Sequence, residues 1–364
     1  MIKKTARLAE RAEDYINLGI RPDMIIQKED ALHTKGKFGE YEWWYFDAKL
    51  DGGYSLVIVF YSQPVTAVSM GYAPCVSFSL TGNGKEILKE VSFPIEDCSF
   101  SREQCDVRIG KCTFKGDLRS YKIHYEDEDT VCDMELESHA QSYRHKTGHF
   151  FFGEKKYFAW LPAVPEGRVK ASIKTAESAL ELTGSGYHDH NWGNMGMFWL
   201  MHHWYWGRAK VGPYQVISSY ITARKEYGYK HFPIFVIYKD GEKLGCDTEA
   251  IKYEQKDPCF DPTTKKTYHK TLVYDYDDGT QHFRITYNAE DIIETFVVEQ
   301  GYGSARAKAS KALIWFVKAM GLYPSYIRFV GTITVERFEN GEIVEALSEK
   351  GIWEQMHFGL DEDV

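Results

Sequence analysis

Short runs rich in β-branched and aromatic residues recur along the chain: Tyr54–Tyr61 (YSLVIVFY), Phe232–Tyr238, Thr271–Tyr276, His282–Tyr287 and Gly331–Arg337. Such runs suit the pleated, half-buried surface of a strand, on which successive side chains point to opposite faces. Between or beside them stand Asp51-Gly52, Asn83-Gly84, Asp240-Gly241, Asp278-Gly279 and Asn340-Gly341. Asn-Gly and Asp-Gly supply the two φ > 0 residues of a type I′ turn, whose twist matches paired antiparallel strands, so the pattern predicts antiparallel meanders. Two stretches depart from it. Residues Lys4–Asn17 carry mixed charges at helical spacing, and Ser304–Met320 read as a helix with Ser304 as N-cap and Gly321 as its stop. There is no βαβ alternation and no GxGxxG, which argues against a doubly wound nucleotide-binding fold.

The chain has 364 residues. A single core stops growing near about 250–300 residues, and hairpin signals are equally dense in both halves. This predicts an all-β protein of two domains with a junction near Ala171–Leu182. The boundaries expected are a helical extension over 1–34, a first β-domain over 35–178 and a second over 179–364, the last carrying the helix at about 304–320. In that helix Arg306, Lys308, Lys311 and Lys318 are basic, while Leu313–Val317 are apolar nearly all round. It either packs across a barrel end or lies on a membrane surface, where it would give peripheral membrane contact and collect a lipid-soluble substrate.

Composition narrows the function classes. With 43% hydrophobic and 27% charged residues the chain reads as globular. A net charge of −9 gives no electrostatic reason to bind nucleic acid. The 15% aromatic content suits sheets and apolar pockets. The start has no apolar h-region, no run reaches the ~20 apolar residues of a membrane span, and the seven cysteines lack CxxC spacing. A cytoplasmic protein with reduced thiols is expected. Nothing in the pattern speaks to oligomeric state.

Two segments stand out chemically. Glu42-Trp43-Trp44-Tyr45-Phe46-Asp47 brackets four aromatics with carboxylates. On a strand, Glu42, Trp44 and Phe46 share one face, and Trp43, Tyr45 and Asp47 the other. The second segment is Gly184–Gly193 (GSGYHDHNWG), followed by Trp199, His202, His203, Trp204, Tyr205 and Trp206. Four of the thirteen histidines and four of the nine tryptophans lie between 188 and 206.

Three readings of this cluster compete. His188 and His190 point to one side of a strand and could ligate a metal with His202 or His203, but the members of the HH pair diverge on a regular strand. The histidines and Asp189 could instead form a buried hydrogen-bond network. In the third reading, Asp189 or a histidine, its pKa shifted by burial, protonates an apolar substrate while ring faces stabilise the cation. There is no GxSxG, P-loop or HExxH.

At these residues the chain resembles the hydroxyneurosporene synthase or carotenoid 1,2-hydratase family. The blocks are EWWYF at 42–46, GSGYHDHNWG at 184–193 and WYWGRAKVGPY at 204–214, in the family's order and spacing. That family is similar to AttH-like proteins, kievitone hydratase and fungal lipocalin-like Diels–Alderases. The resemblance implies two lipocalin-like β-barrel or sandwich domains acting on a large apolar molecule with no metal or cofactor. It carries His190 and Trp192 over as motif residues, preceded by His188 and Asp189. Members carry an acidic residue on the strand after GPY, whereas this chain reads Gln215–Tyr220 (QVISSY), leaving Asp189, Glu42 and Asp47 as candidate acids. The expected function is therefore a hydratase or cyclase using acid catalysis on an isoprenoid- or polyketide-like substrate. Asp189, His190, His188 and Glu42 would be catalytic, and Trp44, Tyr45, Tyr187, Trp192, Trp204, Trp206 and Tyr214 would line the substrate site. The alternatives are a pericyclase or isomerase acting by preorganisation and a non-catalytic lipid or pigment carrier.

Overall fold

In a computed structural model, described over residues 5–65, 71–297 and 322–359, the protein is all-β and made of two antiparallel sheets. The helix expected at 304–320 lies outside the described residues. Every strand named above is present and longer than its pattern: Tyr54–Gln63, His231–Lys239, Lys266–Asp277, His282–Val297 and Ser325–Glu339. At Asn83-Gly84, Asp240-Gly241 and Asn340-Gly341 both residues have positive φ, as a type I′ turn requires. Asp51-Gly52 instead opens a short 3₁₀ turn through Gly53, and at Asp278-Gly279 the glycine alone has positive φ.

The described residues divide into two compact units, one over Arg7–Met197 and the other from Phe198 onward. The expected junction at 178/179 is displaced, because Ala179–Gly193 is not the start of a new sheet. It pairs from Gly184 to Gly193 with Tyr41–Leu50 on one side, and from Ala179 to Gly193, with breaks around Val164, with Lys156–Lys174 on the other, in the middle of the first, thirteen-stranded sheet. The separate N-terminal extension is also corrected. Helix Ala12–Leu18 is only seven residues long, and residues 7–34 belong to the first unit. There Asp14 takes a bidentate pair from Arg7, 2.7 Å on each oxygen, and caps the backbone N–H of Glu10 and Arg11.

One face of the first sheet buries Trp44, Phe46, Ala48, Leu50, Leu56, Ile58 and Phe60 with their partners across the core. The face alternation read from the EWWYFD segment holds: Glu42, Trp44 and Phe46 are buried, and Trp43, Tyr45 and Asp47 are half-buried. Lys156–Lys174 breaks register around Val164, next to Pro162 and Pro165, which cannot donate to a ladder. The freed carbonyls of Pro162 and Glu166 accept the backbone N–H of Tyr143 and His139, anchoring the segment that carries Arg144, Thr147 and His149. The second unit is a nine-stranded antiparallel sheet with its own core around Tyr205, Val216, Phe235, Ile285 and Trp353.

Candidate functional site

The HDH segment sits in a cross-strand ladder that pairs His188 with Phe46, His190 with Trp44 and Trp192 with Glu42. Period two turns His188, His190 and Trp192 to the core side and Tyr187, Asp189 and Asn191 to the other. Gly193, at the ladder's end, lies so close to Tyr41 and the Tyr157 carbonyl that a Cβ there would come within 2.4 Å of the Tyr41 hydroxyl.

Against the core-side row folds the 3₁₀ turn Gln27–Asp30. The Asp30 carboxylate accepts from Tyr121 Oη at 2.6 Å, faces His188 Nε2 at 3.2 Å and meets His190 Nδ1 at 3.3 Å. His190 Nε2 reaches Glu42 Oε1 at 2.9 Å, and Glu42 also accepts from the backbone of His33 (2.7 Å) and from both the backbone and hydroxyl of Thr34 (2.8 and 2.6 Å). All four titratable side chains are sealed from solvent. Burial pushes the Asp30 and Glu42 carboxyls up, but the facing histidines outweigh it and hold both below their ordinary values. Burial likewise pushes His190 down, and the two carboxylates reverse this, raising it to about 9. His190 is thus a buried imidazolium between two carboxylates, stacked on Trp44 at 4.5 Å.

On the opposite face Asp189 is saturated by three donors: Trp160 Nε1 at 2.8 Å, Tyr187 Oη at 2.8 Å and Asn191 Nδ2 at 2.7 Å. Desolvation outweighs these bonds and raises its pKa to about 6.

A cavity of about 340 Å³ opens in the first unit, lined by Leu18, Ile20, Glu29, His33, Arg144, Thr147, His149, Phe151, Lys155, Tyr157, Trp160, Leu161 and Trp192. Its size falls within the range of small-molecule sites. The His33 ring stacks on Trp192 at 4.0 Å, and His149 meets the same indole edge-on at 5.4 Å. His33 Nε2 lies 3.0 Å from the Glu29 carbonyl and His149 Nδ1 2.8 Å from the Thr147 carbonyl. A carbonyl only accepts, so these nitrogens carry the protons and each ring keeps a lone pair on its other nitrogen. Burial lowers both pKa values, that of His149 to about 4, so both rings are neutral at pH 7. Arg144 is paired with Glu29, whose pKa burial raises despite that cation.

Among the residues expected to form the site, Trp192 reaches this cavity. Asp189, His188, His190, Glu42, Trp44 and Tyr187 are buried outside its lining, and Tyr45 bonds Asp47 at 3.2 Å on the half-buried face. Trp204, Trp206 and Tyr214 belong to the second unit, where Trp204 Nε1 reaches Glu354 at 3.4 Å and Tyr214 donates to Glu345. Sequence reasoning missed Asp30, His33, His149, Arg144 and Trp160. Asp30, Cys105 and His188 bring three potential ligand atoms within 4.8 Å of one another. Burial pushes the Cys105 thiol well above its ordinary value, so a metal ion there would have to displace that proton.

Residues 36–299 match the Diels-Alderase-like family. The chain belongs to that family. Two curated proteins are similar over shorter stretches: the quinolone epoxide rearrangement protein of Emericella nidulans, 28% identical over 88 residues, and the hydroxyneurosporene dehydrogenase of Chlorobaculum tepidum, 25% identical over 225 residues. These alignments take in 24% and 50% of this chain, and 24% and 56% of the two relatives' lengths. Among solved structures CghA superposes with a TM-score of 0.60 at 12% identity, covering 88% of this chain and 89% of CghA, a likeness of fold. The resemblance read from the three motif blocks and the family match agree.

Proposed function

We propose that the chain is an enzyme that holds one large apolar substrate in a reactive conformer within the first unit's cavity. It promotes a cyclisation or isomerisation of the pericyclase type, with neutral imidazole rather than a carboxylic acid handling any proton. One observation carries the reading: two neutral histidines, His33 and His149, flank Trp192 in the cavity wall, while Asp189, Glu42 and His190 lie outside the lining. Glu29 is the carboxyl that does line the cavity, and it is held by Arg144, which disfavours its use as the acid that would start hydration. Trp160, Trp192 and Tyr157 offer flat apolar faces for a polyene. Orientation of a flexible chain can by itself supply several kcal/mol of the barrier. Membership of the Diels-Alderase-like family supports the same class.

The test incubates the purified protein with linear polyenes carrying a carbonyl head group and follows product mass. An isomer of unchanged mass, formed only with enzyme, is the expected result. A product heavier by one water would replace this reading with hydration, and retention of unaltered polyene with no turnover would replace it with carriage.

A further inference from the structure

The second unit contains a histidine cluster that the proposed reaction does not use. On the strand Met201–Val211 the pairing with Tyr214–Ala223 steps from Met201↔Ala223 directly to His203↔Thr222, so His202 is an extra, bulged residue. A bulge undoes the alternation that would send neighbouring side chains to opposite faces. His202 and His203 accordingly turn toward each other, with their Nδ1 atoms 2.8 Å apart, and both are buried. Directly across the sheet from His203 stands His357, on the strand Glu342–His357. Its ring centroid is 4.7 Å from that of His202 and 5.3 Å from that of His203. One nitrogen from each of the three rings falls within 4.8 Å of the others.

We infer that His202, His203 and His357 form a binding site for a borderline divalent metal ion of the Zn²⁺ class. Three imidazoles are a common donor set for Zn²⁺, which leaves a fourth position to water. The surrounding hydrogen bonds fit this use. Thr222 Oγ1 lies 3.2 Å from His203 Nε2 and 3.2 Å from His231 Nδ1. With its single proton on the His231 side, the hydroxyl accepts from His203 Nε2–H, which turns the His203 Nδ1 lone pair toward the cluster. Orientation of a ligating imidazole through its other nitrogen is what metal-binding histidines ordinarily show. Gly359 closes the site: a Cβ there would lie 2.2 Å from the His202 ring, so a larger residue would displace that ligand. The ion would pin the end of one strand to the bulge of its neighbour.

The test uses full-length, tag-free protein stripped with a chelator and then titrated with Zn²⁺ and with Co²⁺. One equivalent of Zn²⁺ should bind and raise the melting temperature, and Co²⁺ should give visible absorption without a thiolate charge-transfer band. His203→Gln and His357→Gln should each weaken Zn²⁺ binding by more than ~10-fold, and Thr222→Val, which leaves all three ligands in place, by about 10-fold. Absence of stoichiometric binding, or equal affinity in the parent and both histidine variants, overturns the inference. So does a thiolate band on Co²⁺ that vanishes in Cys105→Ala, which would place the ion beside Asp30 and His188. The Co²⁺ spectrum of the parent decides the matter even where a histidine variant does not fold.

Discussion

The His33 imidazole lies flat on the Trp192 indole, 4.0 Å away and 10° from parallel, with the His190–Glu42 pair behind them. Glu42 Oε1 accepts from both the His33 backbone and His190 Nε2, so one carboxylate oxygen positions the cavity wall and neutralises the buried imidazolium. This separates the residues that would touch substrate from those that hold them. In the proposed reaction His33→Ala should lower kcat by at least ~10²-fold with the fold retained, the low end of what one acid–base group contributes. The rate of isomer formation by the variant, with near-ultraviolet circular dichroism as a fold check, measures it.

Asp189 is the residue for which sequence and structure point to different roles. Its carboxylate organises Trp160, Tyr187 and Asn191, and Trp160 forms part of the cavity wall. In Asp189→Asn an amide group faces donors, and a lost hydrogen bond to a charged group costs about 1.5–3 kcal/mol. Urea midpoints should show that loss, while turnover of folded variant stays within tenfold of the parent. A 10³-fold loss of kcat at full folding would restore Asp189 as the acid.

The Asp30–His190–Glu42 cluster should behave as a buried ionic unit, in which removal of one partner leaves a charge uncompensated. His190→Ala or Glu42→Gln should therefore destabilise the protein by about 3–5 kcal/mol. The pH dependence has a definite sign. His190 binds its proton more tightly folded than unfolded, so its contribution is complete below the unfolded value near 6.5 and is lost as pH rises through about 9. Asp30 and Glu42 are shifted down, so their contribution is present above the unfolded carboxyl values and is lost on acidification. Stability by urea denaturation should fall between pH 7 and pH 10 in the parent, and that fall should be much smaller in His190→Gln.

Much of this architecture is legible in the chain because it depends on local period. Alternation put Glu42, Trp44 and Phe46 on one face and set Asp189 opposite His188 and His190, and three Asn-Gly or Asp-Gly pairs form the turns their φ preferences demand. What was not legible depends on long-range return of the chain. Asp30 lies 158 residues from His188 and has no periodic pattern around it, so the segment that completes the cluster looked like an extension. The His202–His203 pair reads as divergent on a regular strand, and only pairing against Ala223 and Thr222 exposes the bulge. A dense polar motif such as HDHNW thus marked a structurally demanding strand and overstated its direct contact with the cavity.

Under the proposed reaction, the cavity histidines would set the pH behaviour of turnover. The proposed reaction needs the lone pairs of His33 and His149, whose other nitrogens are tied to the Glu29 and Thr147 carbonyls. Burial is the largest influence on both, lowering His33 below the ordinary imidazole value and His149 to about 4. Protonation removes the lone pair, so activity should be flat from neutral pH through the usual imidazole range and decline only on further acidification. An enzyme driven by the Asp189 acid would do the reverse, losing rate as pH rises through about 6. Initial rates from pH 4.5 to 8, with folding checked at each pH, separate the two profiles. In His149→Gln the decline should follow His33 alone, whereas a profile that rises toward acid in the parent would count against imidazole chemistry at this cavity.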